Sequence, residues 1–99
     1  ELASIAEAIL AHHERWDGRG YPFKLKGEEI PLYARILAIA DAFDVMISGR
    51  RYQEPIACAE ALQEIRRCAG TQFDPELVRQ FIDLVENDVY AISGARISE

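Results

Sequence analysis

Between Ile36 and Ile47 every residue is apolar except Asp41 and Asp44. No alternation at a period of two runs through this stretch, so it reads as a helix. A helix apolar on all sides belongs in the middle of a core, and the rest of the chain has to be arranged around it. The helix is expected to start at Pro31 or Leu32 and to run to about Ser48, with Gly49 as its C-terminal cap. Ahead of it, Asp17 to Pro31 holds Gly18, Gly20, Pro22, Gly27 and Pro31 and has to be a loop. A loop of that length in a compact domain is unusual unless it has a function.

The other segments are also helical in period. Leu2, Ile5, Ile9, Leu10, His12, His13 and Trp16 follow one stripe of a first helix, which places both histidines inward. A third helix takes Pro55 into its first turn and stops at Gly70, burying Ala61, Leu62, Ile65 and both cysteines. Asp74-Pro75 is a cap followed by a first-position proline, opening a fourth helix with Leu77, Val78, Phe81, Ile82 and Val85 on one face. The tail from Asp88 to Glu99 carries at most one more helical turn. The fold class is therefore all-α, with four to five helices and a long loop after the first, and no linker or repeat divides residues 1–99.

Composition narrows the functions. With a net charge of −6 the chain is a poor partner for long nucleic acid, whose binding rewards dense phosphate neutralisation. A small phosphorylated ligand is still allowed, because a bound metal or a local arginine cluster can carry that attraction. No apolar run approaches the roughly 20 residues of a membrane-spanning helix. Cys58 and Cys68 lie ten positions apart in one expected helix, about 15 Å at 1.5 Å per residue, too far for a mutual disulfide. Two free thiols and the lack of a basic-then-apolar opening segment point to the cytoplasm.

The chemistry gathers at a few residues. A carboxylate such as Asp41 inside an apolar helix is costly unless it is hydrogen-bonded, paired or bound to a metal. The plain alternative is that one of Asp41 and Asp44 pairs with Arg35 or Arg50 and the other reaches solvent. Two inward histidines and the Glu14 that follows them favour a metal. Imidazole with carboxylate suits manganese, iron, zinc or nickel better than calcium or magnesium. Adjacent histidines on a helix diverge by about 100°, so each would serve a different ion of a close pair, or one would bind while the other hydrogen-bonds.

Read in order, His12-His13-Glu14-Arg15-Trp16-Asp17-Gly18-Arg19-Gly20-Tyr21-Pro22 resembles the HHExxDGxGYP signature of the HD-GYP family, with every fixed position present. The resemblance continues through Gly27-Glu28-Glu29-Ile30-Pro31, Ala34-Arg35-Ile36 and Ile39-Ala40-Asp41-Ala42-Phe43-Asp44. It then passes Arg50 and Tyr52 to Gly70-Thr71-Gln72-Phe73-Asp74-Pro75, covering the chain to about Phe81.

The resemblance implies an all-helical, metal-dependent phosphodiesterase that hydrolyses cyclic di-GMP with two or three ions, iron or manganese. It makes His12, His13 and Asp41 metal ligands, with Glu14 as a further ligand or a supporting group. Tyr21, Arg50, Gly20 and Pro22 then belong to substrate binding, the arginine as a phosphate clamp. Asp17 and Gly18 shape the loop, the former by accepting backbone N–H bonds. The chain departs from the family pattern at Arg51, where proline is usual, and at Gln53, where lysine or arginine is usual.

The family's His-Asp dyad lies upstream of this signature and has no counterpart here. The chain is thus expected to be the C-terminal part of one HD-GYP domain, with part of its ligand set and little activity alone. The central helix would then lack cover, so a homo-oligomer or helix-swapped dimer is expected. Two other functions fit the same residues. One is a non-catalytic signalling module that touches diguanylate cyclase domains; the other is a hydrolase of a different phosphate ester.

Overall fold

A computed structural model describes residues 2–89. Four α-helices form: α1 (Leu2–Ala11), α2 (Leu32–Ser48), α3 (Cys58–Arg67) and α4 (Pro75–Asp83). A single 3-10 turn, Gly27–Glu29, lies inside the long loop, and a π-helical stretch, Leu84–Val89, continues α4. Among the described residues there is no strand, only two isolated bridges, Arg50 with Gln53 and Ala69 with Phe73. The all-α expectation holds. The end of the tail, residues 90–99, lies outside the described residues.

Local chemistry accounts for most of the helix ends. Gly49 closes α2 at a φ of 78°, a left-handed value that suits glycine, and its N–H donates to the Val45 carbonyl. Asp74 caps α4 by accepting from the N–H groups of Glu76 and Leu77, with Pro75 in the first turn. Helix α3 starts three residues later than its proline suggests. Pro55 and Ile56 stay outside it, and the Ile56 N–H donates to the Met46 carbonyl of α2 at 2.9 Å.

The main core lies between α2, α3 and α4, where Ile39, Leu62, Ile65, Phe73, Val78 and Ile82 are buried together. Phe43 and Phe81 meet edge to face over it, with ring centroids 5.2 Å apart. Cys58 and Cys68 are free thiols packed against this core, in keeping with the sequence reading. A smaller core joins Ala8 and Ala11 of α1 to Ile30 and Ala34. Between the two cores, Arg35 of α2 donates to Asp74 at 2.8 Å and to the Ile30 carbonyl at 2.9 Å. That buried pair takes Arg35, so of the two arginines offered as partners for Asp41 or Asp44 only Arg50 is left.

Two expectations about burial fail. Ile5, Ile9 and Leu10 face outward and the small Ala8 and Ala11 face the core, because close approach of α1 to α2 needs side chains without bulk. Helix α2 is also not covered on all sides. Tyr33, Ile36 and Leu37 are exposed, as are Asp41 and Asp44. Arg50 pairs with Asp44 at 3.7 Å on the surface while Asp41 is exposed, the arrangement of the plain alternative. The elements present bury one face of α2 and leave the other to water.

Candidate active site

The signature loop is organised around one carboxylate. Glu14 is only 4% exposed. Its Oε2 accepts from the Phe23 N–H at 2.6 Å and its Oε1 from the Leu25 N–H at 2.8 Å. A buried charge needs such partners, and here both come from backbone 9 and 11 residues further on. The loop is therefore folded back over the end of α1. This also explains why α1 stops at Ala11, short of the histidines. His12 and His13 stand in the turn after the helix rather than on its stripe; His12 is half-buried and His13 is exposed.

Further bonds hold the loop in place. Asp17 accepts from Arg15 Nε at 3.1 Å and Nη2 at 2.9 Å, and from the Arg19 N–H at 3.0 Å. These donors, the Arg15 guanidinium first, lower the Asp17 carboxyl to a pKa of about 2. The loop is tied to the α3–α4 turn where Trp16 N–H donates to Gln72 O and Asp17 N–H to Thr71 O. Gly20 is buried, and an added Cβ would collide with the His13 carbonyl oxygen and the Arg15 nitrogen and lie 2.6 Å from Glu14 Cα. Close approach here is of the chain to itself. Asp17 thus ties down the start of the loop, and Gly18 adopts a left-handed φ of 84°.

With the loop folded, His12, His13, Tyr21 and Asp41 line one cavity of about 460 Å³. The His12 and His13 rings lie 4.0 Å apart, and Tyr21 stacks on His13 at 5.0 Å. His12 Nδ1 donates to the Ile9 carbonyl at 2.6 Å, which leaves Nε2 as the acceptor nitrogen of the neutral ring. A ligating histidine is normally held by such a second bond. The Tyr21–Pro22 peptide is cis.

The expected set is not gathered whole. Gly20 and Pro22 shape the loop without lining the cavity, and Arg50 lines a different one beside Arg51 and Tyr52. Arg15 from the loop also lines the cavity, which has walls that sequence reading missed: Glu64 and Cys68 from α3 and its end, and Gln72 from the next turn.

Among the described residues no three His, Cys, Asp or Glu side chains converge to hold one ion. The two imidazoles and Asp41 share a cavity without closing on a common point, so these residues do not by themselves fit a complete metal centre.

Comparison with known proteins now places the chain. The model of the HD domain family matches residues 1–77. The cyclic di-GMP phosphodiesterase of Thermotoga maritima is 48% identical over 86% of this chain and 24% of its own length. The 3'3'-cGAMP-specific phosphodiesterase 2 of Vibrio cholerae is 41% identical over 83% of this chain and 16% of its own length. A crystal structure of a cyclic GMP-AMP specific phosphodiesterase from the same bacterium superposes with a TM-score of 0.77 at 37% identity, covering 97% of this chain and 23% of that one. The chain thus spans about a quarter or less of these relatives. The collinear motif, the family match and the helical superposition agree, and the chain belongs to the HD domain family, on its HD-GYP branch.

Proposed function

We propose that this chain is the part of a cyclic-dinucleotide phosphodiesterase that carries the signature loop, acting on cyclic di-GMP or a related cyclic dinucleotide in bacterial signalling. The observation that carries this reading is the meeting of His12, His13, Tyr21 and Asp41 on one cavity. The residues have separable tasks. Tyr21, stacked on His13, offers an aromatic face and a hydroxyl to a base or ribose. Arg15, half-exposed at the cavity wall, supplies a cation for phosphate. Arg50 supplies a second from a separate cavity. Glu14 holds the loop and has no free role at the ligand.

His12, His13 and Asp41 are a partial donor set of the kind that iron or manganese accepts, and the remaining ligands come from outside the described residues. The chain alone is therefore expected to turn over cyclic di-GMP poorly or not at all. Chromatographic assay of the purified 99 residues with Mn(II) or Fe(II) tests this. Brisk formation of linear dinucleotide or GMP would overturn the half-site reading.

The outward face built by Ile5, Ile9, Leu10, Tyr33 and Ile36 favours a second role, self-association. We propose a homo-oligomer for the isolated chain, with a helix-swapped dimer as one form. A monomer at every concentration in sedimentation equilibrium would exclude it. No helix among the described residues is long and apolar enough to cross a membrane. Two free thiols and an intracellular messenger as substrate support a cytoplasmic site of action, which we propose.

A further inference from the structure

Helix α1 is apolar on nearly every side: Leu2–Ala11 holds one charged residue, Glu7. It is seated on α2 through Ala8 and Ala11, so Ile5 and Ile9 stand out as a ridge, 52% and 56% exposed. Helix α4 packs on a different flank of α2, where Val78 and Ile82 meet Ile39. Between α2 and α4 runs a groove of about 440 Å³, floored by Ile36, Leu77, Phe81 and Leu84, with Arg79 on its rim. Tyr33 and Leu37, one helical turn apart beside Ile36, are exposed on the band of α2 that joins ridge to groove.

The area of this face calls for a cover. Ile5, Ile9, Tyr33, Ile36, Leu37 and Leu84 are each between 37% and 60% exposed. Each leaves on the order of 100 Å² in water, so together they make an apolar face of roughly 600 Å², at the top of what a monomer shows and at one partner's share of a small stable dimer. The face is also poor in charge, which is the composition of an interface core.

A second copy matches it, because the face is complementary to itself. A two-fold axis running along α2 sets the ridge of each copy over the groove of the other. A two-fold across α2 would set ridge on ridge and groove on groove. Charge makes the same choice. In the first arrangement the exposed Glu7 meets Arg79 of the second copy; in the other, Glu7 meets Glu7 and Arg79 meets Arg79. Arg79 forks onto Glu76 of its own helix through Nε and Nη2, which leaves Nη1 for another carboxylate.

We propose that the chain pairs with a second copy through this face, with Ile5 and Ile9 of each copy entering the α2–α4 groove of the other and Glu7 facing Arg79 at both rims. The pairing rests on the self-association proposed above and gives it a surface and an orientation. Ala8 and Ala11 keep α1 on its own α2, so the copies meet without exchanging a helix.

Sedimentation equilibrium of the purified 99-residue chain and its variants tests this, with circular dichroism to confirm unchanged helix content. Ile9→Glu, an exposed change in the single chain, should weaken the dimer at least about tenfold, because it forces a carboxylate into the groove. Glu7→Arg and Arg79→Glu each set like charges at both rims and should each weaken it about tenfold. Combined in one chain, the two reversals restore opposite charges and should recover most of that loss. A dimer indifferent to Ile9→Glu overturns this face and leaves self-association standing. Single reversals without effect, or a double reversal without recovery, overturn the ridge-over-groove orientation. A monomer at every concentration overturns both proposals and leaves the face to a different protein.

Discussion

Removing the Glu14 carboxylate is the sharpest perturbation of the loop. Its two acceptor bonds, at 2.6 and 2.8 Å, are charge-assisted, and such bonds contribute about 1.5–3 kcal/mol each. Phe23 is exposed, so its freed N–H regains water and the low end applies there. Leu25 is half-buried and packs against the small core, so its N–H falls nearer the high end. Glu14→Ala is thus expected to cost about 4 kcal/mol, a large share of the roughly 5–15 kcal/mol that stabilises a domain. Glu14→Gln keeps one acceptor but turns an amide donor toward the other N–H, and should cost about 2–3 kcal/mol. Urea unfolding followed by far-UV circular dichroism gives both values. Hydrogen exchange adds a residue-level check: the Phe23 and Leu25 amides should both lose protection in Glu14→Ala, and one of them in Glu14→Gln. A cost for Glu14→Ala below about 1 kcal/mol, with both amides still protected, would refute the claim that this carboxylate holds the loop.

Three further outcomes follow from the same geometry. Gly20→Ala sets a Cβ against backbone that cannot yield and should be clearly more destabilising than Gly18→Ala, which meets only ordinary contact with Lys26 and bears about 1–2 kcal/mol for its positive φ; equal melting temperatures would contradict this. Asp74→Ala strips α4 of its cap and leaves the Arg35 guanidinium buried without a counter-charge, at a cost of about 3–5 kcal/mol by chemical denaturation. Asp74→Asn, which keeps a capping oxygen, should lose less. The Asp17 carboxyl titrates at about 2 in the folded chain, below its unfolded value near 4, so its contribution is complete above pH ~4 and is lost as pH falls from there toward 2. Asp17→Asn should flatten stability against pH across that window, and an unchanged acid limb would count against the Arg15–Asp17 pair.

Where local chemistry decides, the sequence was enough. The Gly49 cap, the Asp74-Pro75 start and the irregular stretch after Asp17 were all placed from a few neighbouring residues. The signature residues were singled out from their order alone, and His12, His13, Tyr21 and Asp41 share a cavity. Distant partners were not legible. Nothing near Glu14 announces that its acceptors are filled from Phe23 and Leu25, so helical periodicity carried α1 past Ala11 and turned both histidines inward. The partner of Arg35 is 39 residues away, which made Asp41 and Asp44 look like its natural mates. Hydrophobicity alone set Ile5 and Ile9 inside, whereas close packing of α1 on α2 selected the alanines. Glu64 entered the cavity wall only because α3 packs beside α2, a tertiary fact with no local pattern.

The central claim is that the folded-back loop and α2 together present a partial metal and phosphate site at His12, His13 and Asp41. Titration of Mn(II) into the isotope-labelled chain tests it most directly, because paramagnetic broadening reports where the ion dwells. The account predicts broadening first at the amides of His12, His13 and Asp41, lost in His12→Ala. Broadening that begins instead at the exposed carboxylates of Glu28 and Glu29 or of Glu76, and is indifferent to His12→Ala, would contradict it.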